Sequence, residues 1–213
     1  MCGISGFYKK EKISKIVLDK FQNDAEAIQH KRGPDFFGSY VNESGNVGLF
    51  HNRLSLVDLS SKGNQPMEKH GFVISFNGEI YNFRQIKKEL ESFGYKFNSM
   101  TDTEVILLAY DRWGAKSFDK FNGAYAFALY DTTKDIILLV RDKVGEKPLY
   151  YFFDQSKKEL VFASNIQLLL TLKKNVKLNQ NRILSDLIFN FWSDKSETHF
   201  SGIKTLYPGT YLE

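Results

Sequence analysis

Cys2 offers the most reactive side chain in the sequence. It is the single cysteine among 213 residues, it follows Met1 directly, and Gly3 comes next. A small side chain at position 2 predicts removal of Met1. The thiol then shares one residue with a free α-amine. Such an amine titrates near about 8, so an appreciable fraction is neutral at cellular pH. One residue thereby supplies a nucleophile and a general base, as an N-terminal threonine does. The thiolate is the attacking form, and a neighbouring proton acceptor makes it available. Gly3 is expected to leave the approach to the sulfur uncrowded. A thiol nucleophile also needs an acyl substrate and donors for the developing oxyanion. Asn77-Gly78-Glu79 follows the apolar run 72–76 and precedes a helical pattern. A strand-to-helix turn there can aim a side-chain amide and a glycine N–H at one point. Asn-Gly is equally a common plain turn, and a lone cysteine is otherwise a small buried hydrophobe.

These residues need elements to hold them. Gly3 to Tyr8 read as a strand. Ile16, Phe21, Ala25 and Ile28 fall at helical spacing, which predicts a helix over 14–30, broken by Gly33-Pro34-Asp35. Strands are predicted over 47–56 and 72–77. Asn82 is placed to cap a helix with the face Phe83, Ile86, Leu90 and Phe93, closed by Gly94. Thr101-x-x-Glu104 has the capping-box form and opens a second helix that should end at Gly114. Tyr125, Phe127 and Leu129 alternate with Ala126, Ala128 and Tyr130, the period of a strand with one small-residue face. Residues 135–141, 149–153 and 160–163 continue as strands, and helical patterns return over 166–172 and 181–191. Strands in runs with helices in blocks give an α+β class.

Composition removes several function classes. Hydrophobic residues are 42% and charged residues 25% of the chain, as in globular domains. With 29 basic and 25 acidic residues the net charge is +4, and the lysines are scattered. The chain is therefore expected to bind no nucleic acid. No apolar run reaches the roughly 20 residues of a membrane span, and the N-terminus lacks a signal peptide's order. No membrane partner and a cytoplasmic location are expected. One cysteine and four scattered histidines (His30, His51, His70, His199) argue against disulfides and against a metal site.

Ordered motifs run through the whole chain. They begin with Met1-Cys2-Gly3-Ile4-Ser5-Gly6, Arg32-Gly33-Pro34-Asp35, Asn52-Arg53-Leu54-Ser55-Leu56-Val57-Asp58 and Gln65-Pro66. Phe76-Asn77-Gly78-Glu79-Ile80-Tyr81-Asn82, Thr101-Asp102-Thr103-Glu104-Val105 and Phe127-Ala128-Leu129-Tyr130-Asp131 follow. Arg141-Asp142-Lys143, Lys147-Pro148-Leu149-Tyr150-Tyr151 and Phe162-Ala163-Ser164 complete the series. In order and spacing they resemble the class II glutamine amidotransferase domain, and within it the glutaminase half of glutamine-hydrolysing asparagine synthetases. Two places depart from that pattern. His30-Lys31 precede Arg32 where the family often has Arg-His, and Asn165 follows Ser164 where it often has Glu.

The resemblance implies the N-terminal nucleophile hydrolase fold, a four-layer α/β/β/α sandwich with two antiparallel sheets. It implies Cys2 as nucleophile, with Asn77 and the Gly78 N–H as oxyanion hole. L-glutamine would be bound by Arg53 at its α-carboxylate and by Glu79 and Asp102 at its α-ammonium. Leu54, Leu56 and Val57 would line the pocket. A zwitterionic substrate explains why an arginine and carboxylates should meet. Residues 1–213 would form one glutaminase domain of a longer chain, whose C-terminal synthetase domain receives the ammonia. No cofactor or metal belongs to this domain; ATP and magnesium belong to the synthetase domain, whose phosphate-loop motif does not occur in these residues. The parent's acceptor is aspartate by default, with another carboxylate such as a surface-polysaccharide sugar acid as the alternative, and a homodimer is compatible with the reading. Three other readings compete: a Cys–His hydrolase using His51 or His30, a non-catalytic glutamine-binding regulatory module, and a structural domain without chemistry.

Overall fold

The computed structural model describes residues 1–55, 59–189 and 194–213. In chain order the elements are β1 (Gly3–Lys9), α1 (Lys15–Gln29), β2 (Phe36–Val41), β3 (Val47–Arg53), β4 (Met67–Lys69), β5 (Phe72–Ile80), α2 (Phe83–Ser92) and α3 (Asp102–Trp113). Then come β6 (Gly123–Asp131), β7 (Ile136–Arg141), β8 (Tyr150–Asp154), β9 (Glu159–Ala163), α4 (Ile166–Leu172), α5 (Gln180–Phe189), β10 (Lys204–Thr205) and β11 (Tyr211–Leu212). One sheet has the order β10-β8-β9-β1-β3-β2, the other β11-β7-β6-β5-β4. Every strand pair in both is antiparallel.

The alternation along β6 shows how the layers form. Tyr125, Phe127 and Leu129 pack with Val105, Leu108 and Leu90 of the helices α2 and α3. Ala126, Ala128 and Tyr130 face the other sheet, against Ile4, Leu49 and Phe162. The small side chains let the two sheets approach. On the far side of the first sheet, Phe7, Phe50 and Val161 meet Phe21, Ala25, Leu168 and Leu169 of α1 and α4. The result is α/β/β/α, the layer order implied above. No described helix is long and apolar enough to cross a membrane.

Several local expectations need correction. Ile16 is exposed, although Phe21 and Ala25 are buried. Ser14 does precede α1 in an extended conformation, and Phe93 at the end of α2 is also exposed. Asn82 makes no cap bond. Its amide instead bridges the Lys120 carbonyl at 2.9 Å and the Asn122 N–H at 2.9 Å. Thr101 caps α3 by accepting from the Glu104 N–H at 3.4 Å, but Glu104 does not reach back. Its carboxylate is taken by Ser99, the Asn98 N–H and Lys69, so only half of the box forms. Asn165 caps α4 by accepting from the Gln167 N–H at 2.9 Å, which is what its amide contributes at a position often held by Glu. The strand predicted over 47–56 ends at Arg53, and the helix predicted over 181–191 extends beyond the described residues.

Candidate active site

The inner faces of the two sheets are apolar until they reach one end. Along β3 the inward row runs Val47, Leu49, His51, Arg53; along β5 it runs Val73, Ser75, Asn77, Glu79, as the two-residue period of a strand requires. At that end Arg53, Asn77 and Glu79, together with Cys2, open into a cavity of about 200 Å³. Met1, Cys2, Arg53, Leu54, Gln65, Asn77, Gly78, Glu79, Asp102 and Lys147 are among its walls. The volume suits an amino acid rather than a larger ligand.

Cys2 lies just ahead of β1, whose first residue pairs with Asn52 of β3. The Leu54 N–H donates to its Sγ at 3.4 Å, and the thiol reaches the Leu54 carbonyl at 3.7 Å. Arg32 fixes the residue from behind, its Nε donating to the Cys2 carbonyl at 3.1 Å. Burial pushes the thiol above its ordinary value, while the Leu54 N–H and the Arg53 and Arg32 charges pull it down. Burial wins, so the thiol needs a base to ionise. Met1 occupies the cavity wall; its removal would free the α-amine and widen the cavity in one step. Gly3 has a different task from the one expected. A Cβ there would come within 2.8 Å of the Gln29 side chain, so the glycine admits α1 rather than the substrate.

Asn77 and Gly78 do not form a strand-to-helix turn. They lie inside β5, paired with Ala126 and Tyr125 of β6. Gly78 has φ +148, and a Cβ would lie 2.2 Å from the Ala124 carbonyl oxygen. Only glycine fits that conformation. Alternate N–H groups of a strand share an edge. The Ile80 N–H bonds Asp102 Oδ2 at 2.9 Å, so the Gly78 N–H points to the same edge and toward the cavity. Both polar atoms of the Asn77 amide are buried with no hydrogen-bond partner among the described residues. A native fold rarely leaves such a group unsatisfied without a use for it.

The charged residues divide by sign. Arg53 is buried and its Nη1 donates to Ser60 O at 2.9 Å and to Asn64 Oδ1 at 2.7 Å. Asp102 is the first residue of α3 and is buried. Burial, with a smaller contribution from the nearby Glu79, raises its carboxyl to about 6 against the lowering pull of the Ile80 N–H. Two carboxylates sharing one small site form a place for a cation. The structure thus brings Cys2, Arg53, Leu54, Asn77, Gly78, Glu79 and Asp102 to one cavity. Leu56 and Val57 lie outside the described residues. Gln65, Thr101, Thr103, Tyr81 and Lys147 also line it. All five stood in recognisable motifs, but nothing local in their spacing pointed to a site.

A Cys–His pair is not assembled. His51 is fully buried between the sheets, its Nε2 bonds the Phe76 carbonyl at 3.0 Å, and burial lowers it to about 4. His30 is exposed. Neither lines the cavity.

A thiol one residue from the N-terminus, a buried amide beside a glycine, an arginine and two carboxylates thus meet in one cavity. Known proteins place the chain more closely. Residues 1–213 match the glutamine amidotransferase domain family, and the chain belongs to that family. It is 36% identical over 208 residues to a putative glutamine-hydrolysing asparagine synthetase of Methanocaldococcus jannaschii, covering 89% of this chain and 39% of that protein. It is 32% identical over 223 residues to an amidase of Gibberella zeae, covering 100% of this chain and 32% of that protein. The chain therefore spans roughly a third of the length of the curated relatives it matches. The solved glutamine phosphoribosylpyrophosphate amidotransferase of B. subtilis superposes with a TM-score of 0.64 at 21% identity, over 78% of this chain and 42% of that one. That likeness establishes the fold, the class II amidotransferase sandwich.

Proposed function

We propose that the processed domain hydrolyses L-glutamine, with Cys2 as nucleophile and its own α-amine as base. The observation that carries this reading is the convergence of Cys2, Arg53, Asn77, Gly78, Glu79 and Asp102 on one amino-acid-sized cavity. Arg53 takes the α-carboxylate, and Asp102 with Glu79 takes the α-ammonium. The side-chain amide then lies against the sulfur. The α-amine accepts the thiol proton, the thiolate attacks, and the tetrahedral oxyanion is held by the Asn77 amide and the Gly78 N–H. The C–N bond breaks as the ammonium returns its proton to the leaving nitrogen, releasing ammonia. Water, activated by the same amine, splits the thioester and frees glutamate and the thiol.

In the parent protein the ammonia feeds an ATP-dependent amidation on a C-terminal synthetase domain, with residues 1–213 as the glutaminase half. The M. jannaschii relative, named as an asparagine synthetase, favours aspartate as acceptor; another carboxylate, such as a surface-polysaccharide sugar acid, is the alternative. The reaction belongs to the cytoplasm, where ATP is made and used.

Intact mass and glutamate release test the proposal together. The form lacking Met1 should release glutamate; Cys2→Ala, and a form that retains Met1, should release none. A Met1-free protein that leaves glutamine intact, alone and within its full-length parent, refutes the reading.

A further inference from the structure

The free edge of β5 is where the cavity is made. β4 covers that edge only from Phe72 to Ile74, which pairs with Met67. The next N–H groups on the edge are those of Phe76, Gly78 and Ile80. The Phe76 N–H is not left bare: Gln65 Oε1 accepts it at 2.7 Å. A side chain thus continues the ladder where the strand stops. The other end of the same amide, Nε2, donates to Thr103 Oγ1 at 3.2 Å. Gln65 therefore joins β5, one residue before Asn77, to α3, one residue after Asp102. Its own backbone is wedged against β2, because a Cβ on Gly38 would lie 2.0 Å from the Gln65 carbonyl oxygen. Both bonds are buried, where a broken partner is costly and a satisfied network is rigid.

We propose that Gln65 is a positioning residue of this site, its amide setting the distance between the oxyanion donors of β5 and the carboxylate that opens α3. The proposal rests on the glutaminase reading above. Without the amide, the Phe76 N–H must take water, and the strand segment that carries Asn77 and Gly78 is tied to the start of α3 only beyond Gly78, by the Ile80–Asp102 bond. Oxyanion donors work only when they meet the developing charge at hydrogen-bond distance, and a displacement near 1 Å costs on the order of a hundredfold. The substrate's α-groups, held by Arg53, Glu79 and Asp102, keep their own contacts. The effect should therefore fall on kcat.

Gln65→Met, similar in length and without hydrogen bonds, should lower kcat for glutamine hydrolysis by about tenfold or more and change KM by less than about threefold. Gln65→Glu keeps an acceptor for the Phe76 N–H, and its second oxygen can accept from the Thr103 hydroxyl, so both ends of the bridge survive and most of kcat should be recovered. Thr103→Val cuts only the α3 end and should give the same split, including if Gln65→Met misfolds. A kcat within about twofold of wild type in Gln65→Met, a loss confined to KM, or a Gln65→Glu as slow as Gln65→Met overturns the proposal. A wild type that releases no glutamate overturns the glutaminase reading instead. The bridge is then judged by amide exchange at Phe76, which Gln65→Met must accelerate.

Discussion

Asp102 sits where it costs the fold stability, and the cost is measurable. Its folded carboxyl titrates at about 6 because burial penalises the charge and Glu79 adds repulsion. In the unfolded chain an aspartate titrates near about 3.9. Between those two pH values the unfolded state has released a proton that folded Asp102 still holds. Stability from this group is therefore full below about pH 4, falls as pH rises to about 6, and stays low above it. Two pH units of displacement at ~1.4 kcal/mol each amount to about 3 kcal/mol. Asp102→Asn keeps an oxygen for the Ile80 N–H, now bonded at 2.9 Å, and removes the charge. Near neutral pH the variant should be more stable by up to about 3 kcal/mol, which raises Tm by several degrees in a chain of this size. The gap should close near about pH 4. The same change deletes a carboxylate assigned to the α-ammonium of glutamine. At roughly 2 kcal/mol for a charged contact left half-paired, KM should rise about 30-fold. Melting curves across this pH range and steady-state glutamate release give both numbers. Wild type and variant that melt in parallel at every pH, or a variant with an unchanged KM, would refute the argument.

Asn77→Ala should lower kcat by roughly a hundred- to a thousandfold, the usual loss for one oxyanion donor. Its melting temperature should not fall in proportion, because neither atom of the Asn77 amide is bonded within the described fold. Gly78→Ala should abolish glutamate release and lower Tm, since the added Cβ meets the Ala124 carbonyl at 2.2 Å and φ is +148; an active, fully stable variant would contradict the assigned conformation.

The parts of this molecule that were legible in the sequence are those governed by a local period. The two faces of β6 separated as their alternation required, and Thr101 and Gly114 bounded α3 as their chemistry predicted. Asn77-Gly78 was the informative failure. The dipeptide has the chemistry of a turn, but its surroundings extend β5 through Ile80 and pair Gly78 with Tyr125. The unusual backbone that glycine supplies is spent inside a strand. It lets β5 pass close to the Ala124 carbonyl, where a Cβ would not fit, and does not reverse the chain. Ile16 failed for the opposite reason: its spacing fits a helical face, yet on the first turn of α1 it stays exposed.

Gln65 was invisible as a positioning group because both of its partners are distant in sequence, 11 residues away at Phe76 and 38 at Thr103. The same is true of the site as a whole. Cys2, Arg53, Asn77 and Asp102 come from separate parts of the chain, and the β5 edge among them is bare because β4 begins only at Met67, opposite Ile74. Had that strand begun earlier, its backbone would have covered the edge of β5 and filled the Gly78 N–H. Its late start leaves three edge N–H groups to be shared out. Gln65 takes one and Asp102 another, and the one between them, that of Gly78, is the donor assigned to the oxyanion in the proposed reaction.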